Sequence, residues 1–477
     1  VADDRKPNEL LRRARGSMSQ DLLAEKVNEV IYHATGRTAE MTSKTISDYE
    51  RGWYAWPRDD VRSALCQIFD VETPEELGFH DTRMRRAYAR APVDLLALAE
   101  ERRRPSAIER VTVPGGRSYF GAEISAHYSA VEHQQTNLLL VEPDAEMLAG
   151  LGRPDRRTLV VAVDRDRRHY VVDGRRFMDR ASRSDGLQAV PAANVVDDLS
   201  LGIIWATTNA DAALLADDAQ LERSQAYVAH QEAQRDSRGD VDEVPALNRV
   251  ASLWLGSYFC SRHIVRHLDA IGGDPLFWTR EQRGEEAAAW LLWAHKFDYL
   301  RGTWRRFSTM RRAFCIPESE VKESAGYERV LFLLAMALME AFDIQIELSG
   351  EPDHARVEGF VLADQAIVAN WLGSPGLWSV EASASPARVS TYRQLAGQVA
   401  GESLTSQPTP LGRLAAAAEY LGVPWEWFRR RCTELAAVGV DDICHPRSRL
   451  VSTRGLNTAI SYIAHLDVLE GDDFARR

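Results

Sequence analysis

The chain has 477 residues, 45% of them apolar and 27% charged, with a formal net charge of −12. That length exceeds what one hydrophobic core usually organises, and the apolar content excludes wholesale disorder, so roughly two to four domains are expected. The acidic surplus excludes a protein that coats nucleic acid through bulk electrostatics.

Residues 8–79 alternate short helical patterns with turn signals and show no strand-like alternation, so an all-α domain is expected over 1–80. Ser19 is placed to N-cap a helix whose first residue, Gln20, holds its amide where it can reach a phosphate. Leu23 and Val27 bury, and Ala24 is small enough to let another helix cross closely. Thr42 caps a second helix in the same way. On that helix Ile46 and Tyr49 lie three apart and face the core, which turns Ser43, Lys44, Thr45, Ser47 and Asp48 outward near its start. Short polar side chains and a lysine there suit a helix that enters the major groove, with Arg51 beside the phosphates and Gly52 ending the helix.

These residues resemble the xenobiotic-response-element family, relatives of the Cro and lambda-repressor DNA-binding domains, whose pattern is S-Q-x-x-L-A, a capping Ser or Thr, then I-S-x-x-E-x-G. The resemblance spans about residues 10–79. It takes in a first helix with Leu10 and Leu11, a fourth with Val61, Leu65 and Ile68, and a closing helix with Pro74 at its first position. Trp53 and Trp56-Pro57 are similar to the actinobacterial variant, which carries a large C-terminal region. One departure stands out: residues 28–40 separate Val27 from Met41, where the connection usually has about 3–4 residues. A lengthened helix or a loop carrying His33 and Arg37 would fill it. The resemblance implies a double-stranded DNA operator, a homodimer on a palindromic site, and a cytoplasmic, nucleoid-associated protein.

Residues 81–110 are rich in arginine and read as a connector. From Glu109 the period changes to two, with strands expected at 111–113, 119–128, 138–141, 159–163 and 169–172, then a helix over 194–226, in a mixed domain of 111–245. Residues 230–244 are polar and acid-rich, as a linker would be. Helices are expected at 252–268, 279–307 and 327–342, strands at 344–348, 357–362, 366–371 and 377–381, and a helix at 388–400. These form a sensor or dimerisation domain of 246–400. The tail, 401–477, is helical, and its segments 411–421 and 425–437, with Arg429, Arg430 and Arg431, admit a second helix-turn-helix. The fold class expected is therefore multi-domain: an all-α helix-turn-helix domain, then a mixed, mostly helical α+β body.

Cys66, Cys260, Cys315, Cys432 and Cys444 form an odd, scattered set without a CxxC pair, so reduced thiols are expected. Cys260, His263 and His267 would share one helix face within reach of a zinc ion. No fourth ligand is evident and Arg262 and Arg266 flank them, so packing is the plainer reading, and no metal or cofactor is expected. Trp254, Tyr258, Trp290 and Trp293 would either fill a core or line a small-molecule effector pocket. Glu285 and Glu286 read as a solvated helix face. Residues 1–15 hold no apolar run of signal-peptide type, and 330–342, read as the longest apolar stretch, is too short to span a bilayer, so no membrane association is expected. No catalytic motif is present.

The function expected is a sequence-specific transcription regulator, not an enzyme. The alternative is an interaction scaffold with a vestigial helix-turn-helix. Its best support is the charge of residues 1–80: eleven Lys and Arg against fifteen Asp and Glu.

Overall fold

The computed structural model describes residues 7–35, 41–53, 57–71, 74–79, 95, 98, 108–151, 156–183, 186–232, 238–239, 247–269, 271–279, 283–307, 309–371 and 378–466. Two units separate, one centred on Val1–Arg90 and the other on Ala91–Glu243, Leu247–Leu372 and Gly376–Arg477.

Polar caps set the helices of the first unit. α1 (Glu9–Arg15) starts where Asn8 accepts the Leu11 N–H at 3.0 Å and ends at Gly16, at a φ of 55°. α2 (Gln20–Thr35) starts where Ser19 Oγ accepts the Leu22 N–H at 3.1 Å. It continues well past Val27, so 28–35 is a lengthened helix, while 36–40, with Arg37, lie outside the described residues. Beyond that gap, the Asn28 amide donates to the Met41 carbonyl (3.0 Å) and accepts the Met41 N–H (2.9 Å), fixing the chain's entry to the next helix. α3 (Ser43–Glu50) is capped by Thr42, which accepts the Thr45 N–H at 3.3 Å, and Gly52 follows at a φ of 75°. After α4 (Asp59–Phe69), residues Pro74–Leu77 form a single 3-10 turn rather than a full helix.

Leu11, Leu23, Val27, Ile46, Tyr49, Val61, Leu65 and Phe79 make one core, in which the Tyr49 and Phe79 rings meet edge to face at 5.8 Å. Each such side chain contributes about 1.5–3 kcal/mol by leaving water. Leu10 stays 46% exposed.

Of the arginine-rich segment 81–110, only Leu95, Leu98 and residues 108–110 are described, and the last three already belong to a strand. In the second unit β1 (Ile108–Val113), β2 (Ala122–Gln134), β3 (Leu138–Val141), β4 (Arg157–Val163), β5 (His169–Asp173) and β6 (Gln188–Pro191) form one sheet, ordered β5-β4-β2-β3-β6 with β1 on β2. Only β2 and β4 run parallel. A register shift between Val131 and His133 lets β2 serve β1 and β4 with its first part and β3 with its last. β4 is buried along its whole length, which its run of valines suits. α5 (Ala145–Leu151) and α6 (Gly174–Ala181) place Met147, Leu151 and Phe177 on this sheet.

α7 (Asp198–Ala216) opens with a reciprocal cap, Asp197 accepting the Leu199 and Ser200 N–H groups and Ser200 Oγ accepting the Asp197 N–H. It is the one helix among the described residues long and apolar enough to cross a membrane, and most of it is buried inside this unit as a core helix. It therefore exceeds 330–342 as the longest apolar segment. The helix expected over 194–226 breaks at Asp217, whose carboxylate accepts the Asn248 N–H at 2.6 Å, and resumes as α8 (Asp218–Glu232).

A second sheet is ordered β10-β9-β8-β11-β12-β13-β7. It is built from β7 (Arg238–Gly239), β8 (Leu276–Trp278), β9 (Met310–Cys315), β10 (Ile344–Ser349), β11 (Gly359–Leu362), β12 (Ala366–Trp371) and β13 (Trp378–Ser383). β8, β9 and β10 run parallel and the rest antiparallel. Its helices are α9 (Arg249–Leu268), α10 (Gly284–Leu292), α11 (Ala294–Trp304), α12 (Glu318–Glu323), α13 (Gly326–Glu340) and α14 (Pro386–Glu402), followed by α15 (Pro410–Leu421), α16 (Trp425–Ala436) and α17 (Arg454–His465). Three of these strands were not expected: β7 lies inside the expected linker, and β8 and β9 flank the helix expected over 279–307. That helix is also broken at Trp293. There ψ is 119° and the backbone bridges Val451.

Buried charges tie distant segments of this unit together. Arg157 donates to Asp173 (2.7 Å) and to Asp211, while Asp211 also accepts the Arg447 and Ser448 N–H groups at 2.8 and 3.0 Å. Arg413 donates to both Glu340 oxygens at 2.7 Å. Arg431, expected on a second DNA-facing helix, is buried and donates to Asp197 (2.5 Å), Glu434 and the Ala193 carbonyl (2.8 Å). Arg429 lies 5.9 Å over the Trp425 ring, which leaves Arg430 as the exposed member of the run.

Candidate nucleic-acid interface and ligand cavity

The first unit offers α3. Ile46 and Tyr49 bury and hold the helix to the core, Lys44 and Arg51 are exposed, and Ser43, Thr45, Ser47 and Asp48 are half-buried at its edge. Thr42 and Thr45 turn their hydroxyls to each other at 3.1 Å, so this pair serves the helix start. Ser19 is exposed.

Sequence reasoning missed the residue that fixes α3. Glu50 shares the buried stripe of Ile46 and Tyr49, and its carboxylate accepts hydrogen bonds from Arg15 (Nε to Oε1, 2.5 Å) and from Gln20 (Nε2 to Oε2, 2.8 Å). The Glu50 carbonyl accepts the Asn8 N–H at 2.9 Å. One carboxylate thus joins α1, α2 and α3. Burial pushes its pKa up, but the hydrogen bonds from Arg15 and Gln20 and the Arg15 charge outweigh burial and hold it below the usual carboxylate range. Gln20, expected to offer its amide to a phosphate, gives one amide hydrogen to this hub. The signal was available: Glu in I-S-x-x-E-x-G falls at i+4 from a buried isoleucine, where a charge needs a partner.

The acidic surplus of residues 1–80 is unevenly placed. Asp21, Glu25 and Glu29 recur every four residues on the exposed side of α2, whereas Lys44 and Arg51 stand at the two ends of α3. With Glu50 neutralised by Arg15, the exposed charge of α3 itself is not acidic.

The second unit holds a cavity of about 460 Å³. Val250, Leu253, Ser257, Cys260 and Ile264 face it from α9 at alternating spacings of three and four, one stripe of a helix. Trp254 and Tyr258 sit one residue out of that phase. Their rings stack on each other at 5.4 Å, and the His295 ring stands edge-on to both. Of the four ring residues expected to line a pocket, Trp290 and Trp293 do so. Lys296 Nζ lies 4.0 Å from the Trp290 ring centre and Arg312 Cζ 4.4 Å from it, both cations lining the cavity.

Glu285 and Glu286 are not a solvated face. Glu285 is 5% exposed and accepts the Ser118 N–H at 2.7 and 2.9 Å and the Tyr119 N–H at 3.1 Å, while half-buried Glu286 lines the cavity. Gly116 leaves the room this needs, since a Cβ there would fall 2.0 Å from Glu285. Burial, then the charges of Glu285 and Glu286, push the Tyr119 phenol well above its usual range, so it stays protonated.

Among the described residues, no three His, Cys, Asp or Glu side chains gather where a metal could be held. Cys260 turns to the cavity and burial pushes its thiol up to about 12, while buried His263 packs on Phe259 at 4.1 Å between ring centres. Ser257 and His295 meet at 3.0 Å, which invites comparison with a nucleophile and its base. However, His295 Nδ1 is buried without a hydrogen-bond partner among the described residues, so no carboxylate orients the ring. Burial and the Lys296 charge also hold its pKa well below the histidine range, which makes it a weak proton acceptor.

Comparison with protein-family models, curated proteins and solved structures finds no match.

Proposed function

We propose that the chain is a sequence-specific, double-stranded-DNA-binding transcription regulator of the helix-turn-helix class, acting as a homodimer, with the first unit as its reading head. The observation that carries this reading is the hub at Glu50. A helix of two turns is held to two others by one carboxylate and by Ile46 and Tyr49, while Lys44 and Arg51 stay exposed at its ends. A reading helix needs that rigidity, because base contacts discriminate only if the backbone presenting them is fixed. Ser43 and Ser47 are short enough to approach base edges, and Lys44 and Arg51 supply phosphate contacts.

The test is selection of bound sequences from random duplexes by the full chain at physiological salt, repeated with Lys44 and Arg51 both changed to alanine. A discrete palindromic site is expected, with affinity for it reduced at least about tenfold in the variant and a shallower salt dependence. Binding without sequence preference, or a variant that selects the same site equally well, would overturn the assignment. The acidic row on α2 favours the scaffold reading instead if no duplex is bound at all.

A further inference from the structure

The ligand class of the cavity follows from its lining. We propose that the second unit binds a small organic anion, a carboxylate or phosphate joined to an apolar, ring-sized body. This does not depend on the DNA reading. A volume of about 460 Å³ falls within the range of small-molecule sites.

The polar part of the lining is unbalanced toward donors. Trp278, Trp290 and Trp293 are each more than nine-tenths buried, all line the cavity, and none of their indole N–H groups meets an acceptor among the described residues. Indole nitrogen only donates, so what completes these groups must present hydrogen-bond acceptors, and carboxylate or phosphate oxygens do so while matching the cations beside them. Four basic side chains, Arg117, Arg249, Lys296 and Arg312, line the space against two carboxylates. Glu285 already accepts two backbone N–H groups, so it is not directed at a ligand, which leaves Glu286 as the one lining carboxylate facing four cations. Lys296 and Arg312 are 8% and 3% exposed and share the Trp290 ring, which concentrates positive charge where water is scarce and an anion is held most strongly. Val250, Leu253, Ile264, Phe277 and Phe360 provide apolar wall for the rest of the molecule.

Calorimetry on the full chain tests this with four probes that share a naphthalene ring: 1-naphthylacetate, 1-naphthyl phosphate, the neutral 1-naphthylacetamide and the cationic 1-naphthylmethylamine. At least one anion is expected to bind tenfold or more tighter than the amide, with the amine weakest. Whichever anion leads tells carboxylate from phosphate. Trp290→Phe keeps the ring and removes one donor, and Arg312→Met removes one charge; each is expected to cut the anion preference to below threefold, with circular dichroism confirming the fold. Should Arg312→Met fail to fold, Trp290→Phe alone decides the location. The proposal is overturned if the amide matches the anions, if the amine binds best, if none of the four binds at millimolar concentration, or if Trp290→Phe binds the anions as the parent does.

Discussion

Both units bury charge, but in different ways. In the first, a single carboxylate, Glu50, takes hydrogen bonds from two neighbouring helices, and its arginine partner keeps 16% of its side chain exposed. In the second, Arg157 has 4% of its side chain exposed, and it joins two carboxylates that themselves accept N–H groups from 445–448, far along the chain. The first arrangement orients one short helix. The second closes long loops, joining segments some 240–290 residues apart in sequence, for which local helix propensity offers no substitute. Both carboxylate sites are dry, so the difference lies in the cation: Arg15 keeps an edge toward water, whereas Arg157, which fastens remote segments, does not.

That contrast predicts unequal costs. Arg157→Met removes the cation that Asp173 and Asp211 share, leaving Asp211 buried without it and Asp173 with only the more distant Arg175 among the described residues. It is expected to cost about 3–5 kcal/mol of the second unit's stability, read by denaturant unfolding. Hydrogen exchange at α7 should rise while exchange at α3 stays unchanged. A loss below about 1 kcal/mol would mean that water reaches this cluster and that the contrast is false.

Glu50→Gln should cost the first unit less, about 3 kcal/mol at neutral pH, and carries a pH signature. The folded carboxyl is held below its usual range, so its contribution is present above the unfolded value of about 4.3 and is lost as pH falls through the folded value. The parent's α3 should therefore lose protection against hydrogen exchange on acidification below that point, and the variant's exchange should be nearly flat there. An equal acid response in both would assign the effect to other carboxylates.

These features were unequally legible. The caps at Ser19 and Thr42 and the core positions Leu23, Val27, Ile46 and Tyr49 follow from local rules, because a cap and a helical stripe are written within a few residues. The α9 stripe was misread by one residue: Trp254 and Tyr258 are the larger rings, but Val250, Leu253, Ser257 and Cys260 carry the phase that faces the cavity. β9 was missed because Arg311 and Arg312 interrupt its apolar run, and the Phe277 and Trp290 rings that the Arg312 guanidinium lies over come from distant parts of the chain. Glu285 resembled solvated surface because the backbone it accepts from lies 167 residues away. Burial of charge is decided by distant partners, and periodicity does not reveal them.

The smallest effect concerns water in the cavity wall. Cys260 has its thiol pushed up to about 12 by burial, so at pH 8 it is protonated and the nucleophilic thiolate is scarce. Alkylation of Cys260 by iodoacetamide at pH 8, followed by peptide mass spectrometry, is expected to run at least about tenfold slower in the folded chain than in urea, where thiols titrate near 8.5. The folded rate should rise with pH up to the limit of the fold's stability. Equal rates would show that water and reagent reach this wall freely. The low-dielectric surroundings on which the anion preference of Lys296 and Arg312 depends would then be absent.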